Sequence, residues 1–304
     1  MILTPRQETL ALNMNHPSRP ALRYYGSKWQ LASWIYSYLP PHEHRVIPFA
    51  GSLSDTLRWP MPKLETANDL DGRVFNFFKV LRDRPTELIR AIKLTPWHEA
   101  EYQQSREPSL EPFEDARRFW TTCWMSIQGG PNPSKSGFRF MKSREKRFSI
   151  IPSDATNIDH LYDVAERLKH IQFLNKDALE VIAKFQDEPN TLIYLDPPYV
   201  SETRATTTGY THEGDEDLHT AVARLVHECA GYIVICGYDS VLYDELYPDW
   251  HTVRHPSRVN GGASKIETLW LSPRAWQALK RPFQASLFGG TSPRCSTSSP
   301  QSSP

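Results

Sequence analysis

Short apolar runs alternate with amphipathic stretches along most of the chain. The runs predict β-strands at residues 45–49, 64–67, 171–174, 191–195, 232–236 and, at an edge of the sheet, 266–271. The stretches between them predict helices at residues 71–82, 113–127, 158–169, 178–185 and 217–230, with Asp71 and Asn157 as N-caps. This alternation is typical of a mostly parallel sheet with helices on both faces.

Residues 96–152 interrupt the alternation, because they carry little strand signal. A turn-forming cluster at 128–133 precedes residues 135–147, which contain six basic side chains and one acidic side chain, with Phe138, Phe140 and Phe148 among or beside them. The six are Lys135, Arg139, Lys142, Arg144, Lys146 and Arg147. A local basic patch with interleaved aromatic rings favours contact with phosphates. The alternative is a solvated charged loop.

Composition limits the function classes. The 304 residues carry 35 Lys+Arg against 35 Asp+Glu, so no overall charge draws the chain to polyanions. Its longest apolar stretches, such as 232–236, are far shorter than the ~20 residues that span a bilayer. Four cysteines without a CxxC pair or a Cys/His cluster predict reduced thiols and no metal site. We therefore expect a cytoplasmic protein without a membrane segment.

The most specific motif is Asp196-Pro197-Pro198-Tyr199, directly after the strand at 191–195. Two consecutive prolines end the strand in a rigid turn, at the carboxyl edge where open α/β sheets bind ligands. The turn offers a carboxylate, carbonyl oxygens and an aromatic ring. Such a set can accept hydrogen bonds from an exocyclic amine and stack on the ring that carries it.

Other strand ends carry features of a nucleotide site. The turn Pro48-Phe49-Ala50-Gly51-Ser52 has small residues that let a ligand approach the backbone. Asp69 follows Gly51 by 18 residues, close to the ~20-residue offset at which an acid meets ribose hydroxyls. Tyr24-Tyr25-Gly26-Ser27-Lys28 precedes both. The order of these motifs and their positions at strand ends are more specific than any one of them.

Together these motifs resemble the DNA adenine-N6 methyltransferase family, in the arrangement where cofactor motifs come first, a target-recognition segment is inserted, and DPPY follows. The resemblance covers about residues 20–275. It implies an α/β fold: a Rossmann-like, seven-stranded S-adenosylmethionine-dependent methyltransferase sheet with an inserted, mainly helical target-recognition segment. We expect a catalytic domain at 20–95 and 153–283, the insertion at 96–152, and a disordered Ser/Pro-rich tail at 284–304.

The resemblance also assigns roles to residues of this chain. It assigns catalysis to Asp196, Pro197, Pro198 and Tyr199. It assigns the binding of S-adenosylmethionine to Tyr24, Tyr25, Gly26, Lys28, Pro48, Phe49, Gly51, Ser52, Asp69 and Asp177. It assigns the binding of double-stranded DNA to the basic patch. The implied reaction is methyl transfer to N6 of a flipped-out adenine. Two alternatives remain: methylation of another exocyclic amine (cytosine N4, adenine in RNA or a glutamine side chain), or a catalytically weak, methyltransferase-like DNA-binding protein.

Two positions depart from the family pattern. Ile47 stands where the family usually has an acid before the Pro-Phe pair, and Leu53 replaces the later glycine of that turn. The amino group of the cofactor therefore needs another partner, and Asp55 or backbone carbonyls are the candidates.

A further short motif lies at the start of the tail. Residues 284–288, with Gln284, Leu287 and Phe288, resemble the peptides with which bacterial DNA enzymes dock on the replication sliding clamp. The alternative is that Leu287 and Phe288 pack onto the folded domain.

Overall fold

The computed structural model describes residues 17–127, 129–130, 136–140, 157–198, 216–258 and 264–280. Within these residues seven strands form one sheet: β1 (His44–Ile47), β2 (Leu64–Asn68), β3 (Gln172–Leu174), β4 (Thr191–Leu195), β5 (Tyr232–Tyr238), β6 (His251–Arg258) and β7 (Ser264–Leu271). Their order is β3-β2-β1-β4-β5-β7-β6. The first five strands run parallel, and β7 is antiparallel to both β5 and β6. The predicted α/β sheet is thereby confirmed.

The direction of the strand order reverses between β1 and β4. From β1 the chain proceeds outward through β2 to β3, whereas β4 pairs on the other side of β1 and leads on to β5. The reversal opens a crevice at the carboxyl ends of β1 and β4, the usual ligand position in such sheets.

The described helices connect and cover the strands. They are α1 (Ala32–Tyr36), α2 (Gly72–Asp83), α3 (Pro85–Leu94), α4 (Glu99–Ser105), α5 (Pro112–Met125), α6 (His160–Leu168), α7 (Ala178–Lys184), α8 (Glu216–His227), α9 (Val241–Leu246) and α10 (Pro273–Lys280), with a 3₁₀ turn at Thr56–Arg58. Asp71 caps α2 as predicted, since its side chain accepts from the Arg73 N–H. The Asn157 prediction is wrong: Asp159 is the N-cap of α6, and it makes no side-chain capping bond.

Strand β4 shows why both faces of the sheet are buried. Ile193 and Leu195 pack in one apolar cluster, with side chains of α7 and α8. Leu192 and Tyr194 pack in another, with side chains of α1 and α10. Alternate residues of a strand point to opposite faces, so a strand covered on both sides reads as a continuous apolar run.

A third apolar cluster joins helices of the predicted insertion to the sheet. Phe77 of α2, Leu88 of α3, Phe119 of α5 and Leu161 of α6 belong to it, and each is at most 1% exposed. The cluster includes helices from both sides of residue 96, so α5 packs in the same core as the helices before and after the insertion.

The sheet differs from the prediction along β6, which the sequence analysis did not propose. Because β6 pairs with β7, the predicted 266–271 strand is internal rather than at an edge. Polar residues and Pro256 hide the strand signal in β6, and an edge strand tolerates both. Of the helices described here, none is long and apolar enough to cross a membrane.

Candidate functional site

An open cavity lies at the carboxyl ends of β1, β2 and β4, with about 1050 Å³ of empty space when the solvent at its mouth is included. Its wall contains the ten predicted cofactor residues: Tyr24, Tyr25, Gly26, Lys28, Pro48, Phe49, Gly51, Ser52, Asp69 and Asp177. Asp196 and Pro198 line the same cavity, whereas Pro197 is buried and Tyr199 lies outside the described residues. The structure therefore brings the cofactor motifs and the described part of the DPPY turn to one site.

The turn after β1 holds an unusual backbone. Gly51 has a φ of +47°, and Leu53 has a φ of +53°. A left-handed conformation costs a side-chain-bearing residue about 1–2 kcal/mol. The Leu53 side chain is 1% exposed and packs in the same cluster as Leu57 and Val74, which offsets that cost. The turn thus keeps a glycine-like backbone at Leu53.

Asp69 is held by main-chain donors. Its Oδ2 accepts from the Gly51 N–H at 2.7 Å, and its Oδ1 accepts from the Asp71 N–H at 2.9 Å. A carboxylate oxygen has two acceptor positions, so these two bonds alone do not fill the acceptor capacity of the Asp69 side chain. This carboxylate is oriented by the two turns that flank it.

Asn68, which the sequence analysis did not single out, ties three strand ends together. Its buried side chain donates to the Pro48 carbonyl at 2.9 Å and to the Lys176 carbonyl at 3.0 Å, and it accepts from the Lys176 N–H at 2.9 Å. Asn175 donates to the Asp69 carbonyl at 2.7 Å, and Asp177 caps α7. These side-chain bonds fix the turns after β1, β2 and β3, and only the fold shows them.

Lys28 and Asp196 form an ion pair inside the cavity. The Lys28 Nζ lies 2.9 Å from both carboxylate oxygens of Asp196, and the Lys28 N–H donates to the Ser54 hydroxyl. The exposed fraction of the side chain is 3% for Lys28 and 20% for Asp196. Burial raises the pKa of Asp196 to about 7, although Lys28 acts in the opposite direction; Glu267 and Asp55 raise it further. Asp196 is therefore poised between its two protonation states near neutral pH.

The insertion contacts the cavity wall through Arg23. The Arg23 guanidinium donates to the Ser126 carbonyl at 2.5 Å and to the Ile127 carbonyl at 2.8 Å. In return, the Gly130 N–H donates to the Arg23 carbonyl at 2.9 Å. Because Tyr24 and Tyr25 follow Arg23 directly, the turn of the insertion is attached to the segment that lines the cavity.

Of the predicted basic patch, Arg139 is described. Its N–H donates to the Met125 carbonyl at 2.7 Å, and its carbonyl accepts from the Trp97 indole at 3.3 Å. The neighbouring Phe140 is 71% exposed. The other five members, Lys135, Lys142, Arg144, Lys146 and Arg147, lie outside the described residues, as do Gln284, Leu287 and Phe288. Within the described ranges, no group of three or more His, Cys, Asp or Glu side chains could hold a metal ion.

The fold and the cavity define a class of protein: an α/β protein with a nucleotide-type ligand site at the point where the strand order reverses. Residues 24–258 match the model of the D12 class N6 adenine-specific DNA methyltransferases. Since this match spans most of the chain, the protein belongs to that family. It is an adenine-specific DNA methyltransferase that uses S-adenosylmethionine, and the predictions of family, activity and cofactor are confirmed.

Similar proteins include the type II methyltransferase M1.LlaDCHI of Lactococcus lactis subsp. cremoris. It is 25% identical over 270 residues, which are 81% of this chain and 90% of that protein. Among solved structures, a putative RNA methyltransferase from Pyrococcus horikoshii matches with a TM-score of 0.36 and 8% identity, over 88% of this chain and 96% of that one. A SAM-dependent methyltransferase from Agrobacterium tumefaciens matches with a TM-score of 0.35 and 9% identity, over 81% and 60%.

Proposed function

We propose that this enzyme methylates N6 of an adenine flipped out of double-stranded DNA, with the cavity at β1, β2 and β4 as its cofactor site. The main support for this proposal is that Asp196, at the end of β4, lines the same cavity as Gly51 and Asp69. A target amine held by Asp196 and a methyl donor held by the other turns would then meet in one space. Proximity of this kind supplies a large part of the acceleration of group transfer.

The donors and acceptors of the cavity fit S-adenosylmethionine. The carboxylate of Asp69 offers acceptor oxygens of the kind that ribose hydroxyls need, and Gly51 leaves its backbone open to a ligand. The rings of Tyr24 and Phe49 add apolar surface for a base or a hydrocarbon chain. When bound, the cofactor supplies a methyl group on a positively charged sulfur.

Asp196 and the Pro197 carbonyl would accept the two N6 hydrogens of the target adenine. This would localise the N6 lone pair toward the methyl donor and stabilise the positive charge that develops on nitrogen. Lys28 can stay on Asp196 during this step, because each carboxylate oxygen retains a second acceptor position. Tyr199 would stack on the base, which partly repays the few kcal/mol that flipping costs.

Sequencing of genomic DNA from cells that express the enzyme would test this function. We expect N6-methyladenine in a fixed sequence context, absent from cells that carry an inactive variant. Methylation confined to cytosine N4, to RNA or to protein would favour the first alternative. Specific DNA binding without any methylation would favour a catalytically weak binding protein.

We also propose that the patch of Lys135, Arg139, Lys142, Arg144, Lys146 and Arg147 contacts DNA phosphates. Hydrogen bonds from Arg23, which directly precedes the cavity-lining Tyr24, to the Ser126 and Ile127 carbonyls support the proposal, since they hold this end of the predicted insertion beside the cavity. Replacing Lys142 and Arg144 by Gln should flatten the slope of log K against log salt by roughly 2 units. Replacing Lys79 and Lys184, which lie on helices outside the insertion, is the matched control. An equal slope in both double variants would mean that the patch does not contact phosphates and would favour the alternative of a solvated charged loop.

Gln284, Leu287 and Phe288 are proposed to dock on the bacterial sliding clamp. A linear segment with a Leu-Phe pair for an apolar groove and a Gln for directional hydrogen bonds suits such binding. Capture of purified clamp by the wild type but not by the Leu287→Ala/Phe288→Ala variant would support it. Equal capture by both would refute it. A clamp partner and a DNA substrate also agree with the predicted location in the cytoplasm, at the bacterial nucleoid or in a phage-infected cell.

A further inference from the structure

Asp55 is a buried carboxylate that its own chain segment holds in place. It precedes the 3₁₀ turn at Thr56–Arg58 and is 7% exposed. Its Oδ1 accepts from the Thr56 N–H at 2.6 Å and from the Thr56 hydroxyl at 3.2 Å. The side chain therefore has a fixed direction before any ligand binds.

Asp55 lines the cofactor cavity, and among the described residues no cation is hydrogen-bonded to it. The cavity wall includes Asp55, Ile47 and Asp196, and Lys28 is the single cationic side chain that lines it among the described residues. Lys28 bonds to both carboxylate oxygens of Asp196, and its interaction with Asp55 is electrostatic. Burial raises the pKa of Asp55 more than Lys28, Thr56 and Tyr194 together lower it. A buried carboxylate without a bonded cation is costly unless it takes up a proton or a ligand supplies the positive charge.

The backbone of the preceding turn explains how Asp55 reaches the cavity. Positive φ angles at Gly51 and Leu53 and a hydrogen bond from the Leu53 N–H to the Ala50 carbonyl reverse the chain within a few residues. The Ser54 hydroxyl then accepts from the Lys28 N–H, which ties the turn to the segment that carries Lys28. Residue 55 is thereby returned to the space that the apolar side chain of Ile47 also borders.

We propose that Asp55 binds the α-ammonium group of S-adenosylmethionine. That group is the positive charge of the cofactor that takes no part in methyl transfer, and Ile47 at the end of β1 offers no charge to pair with it. The inference rests on the proposed assignment of the cavity as the cofactor site. In this enzyme the carboxylate for the amino group stands directly before the 3₁₀ turn, as its N-cap, instead of at the strand end.

A binding experiment tests the proposed pairing of Asp55 with the α-ammonium group. The ligands are S-adenosylhomocysteine, which keeps the α-ammonium, and its des-amino analogue, in which hydrogen replaces the amino group. Titration calorimetry compares both ligands on the full-length wild type, the Asp55→Asn variant and the Asp69→Asn control. Asn keeps an acceptor oxygen for Thr56, so the turn is preserved.

We expect Asp55→Asn to weaken S-adenosylhomocysteine by roughly 10- to 100-fold, as for loss of a charge-assisted hydrogen bond, and the des-amino analogue by less than about 3-fold. Asp69→Asn should weaken both ligands by the same factor, because both share the ribose. If Asp55→Asn does not fold, Asp55→Ser, which retains a short acceptor, takes its place in the same comparison.

Equal weakening of both ligands by the Asp55 variant would overturn the inference while leaving the cofactor site intact. The ammonium would then be bound by backbone carbonyls. If neither ligand responds to Asp69→Asn, or if the wild type binds neither, the assignment of the cavity itself fails, and the inference fails with it.

Discussion

Two carboxylates in one cavity are positioned by different means. Asp69, at the end of β2, is held by the N–H groups of Gly51 and Asp71, so its orientation follows from the local backbone. Asp196, at the end of β4, is held by Lys28, a side chain 168 residues away in sequence. The first arrangement is fixed by two turns, whereas the second depends on a charge that a ligand or a change of pH can alter.

The difference suits the roles proposed for the two ends. Ribose hydroxyls are neutral and need only acceptors at fixed positions, which main-chain donors maintain. The target amine becomes positively charged as it reacts, so its acceptor gains from a full negative charge. The ion pair with Lys28 favours that charge in a site where burial opposes it.

Of the substitutions at these two carboxylates, replacement of Asp196 should have the largest effect on methyl transfer. We expect Asp196→Ala to lower kcat by at least ~10²-fold, as for loss of one preorganised polar contact. Asp196→Asn, which keeps one carbonyl acceptor, should lose less. Methyl transfer by purified variants, with calorimetric binding of S-adenosylhomocysteine as the control, separates catalysis from cofactor binding. Transfer by the Ala variant at near the wild-type rate would remove Asp196 from the mechanism.

A pH profile addresses the charge on Asp196. In the proposed mechanism the ionised carboxylate is the active form. Because its pKa is raised to about 7, kcat/KM for the cofactor should fall about tenfold per pH unit below 7 and level off above it. Lys28 lowers this pKa. Lys28→Met should therefore move the acidic limb of the profile, the fall of kcat/KM at low pH, toward higher pH by roughly 1 to 3 units.

Lys28→Arg is the matched control for this profile, because it keeps the positive charge and should leave the limb near its wild-type position. A limb that stays in place in the Met variant would mean that Lys28 does not set the charge of Asp196. The sequence analysis expected Lys28 to act on the cofactor, and a raised KM for S-adenosylmethionine with an unmoved limb would favour that role.

How much of this site the sequence predicted depends on how far apart the interacting residues lie. The DPPY and Gly51 motifs could be placed because each ends a strand that its own apolar run reveals. The pairing of Lys28 with Asp196 could not, since no local pattern links residues so distant along the chain. The hydrogen bonds of the Asn68 side chain could not be predicted either, because they form only when β1, β2 and β3 lie side by side.

The fold shows the same limit. Strand β4 is apolar along its whole length and was predicted from its composition, whereas β6 is polar, contains Pro256 and forms through its pairing with β7. Helix α3 had a usable signal that the sequence analysis passed over: Pro85 at its first turn, followed by Leu88, Ile89 and Ile92 on one face. The strand β6 was not predicted because it depends on tertiary pairing, whereas α3 could have been predicted from its own sequence pattern.

The smallest effect that we expect belongs to Asp69. Asp69→Ala removes an acceptor for neutral hydroxyls, so KM for S-adenosylmethionine should rise by about tenfold, as for hydrogen bonds worth about 1.4 kcal/mol, with kcat close to wild type. DNA affinity, measured by fluorescence anisotropy with a labelled duplex, should not change, because the role proposed for Asp69 is to bind the cofactor and not the nucleic acid. A fall in DNA affinity without a change in KM for the cofactor would mean that this end of the cavity faces the nucleic acid. The contrast drawn between Asp69 and Asp196 would then have to be reversed.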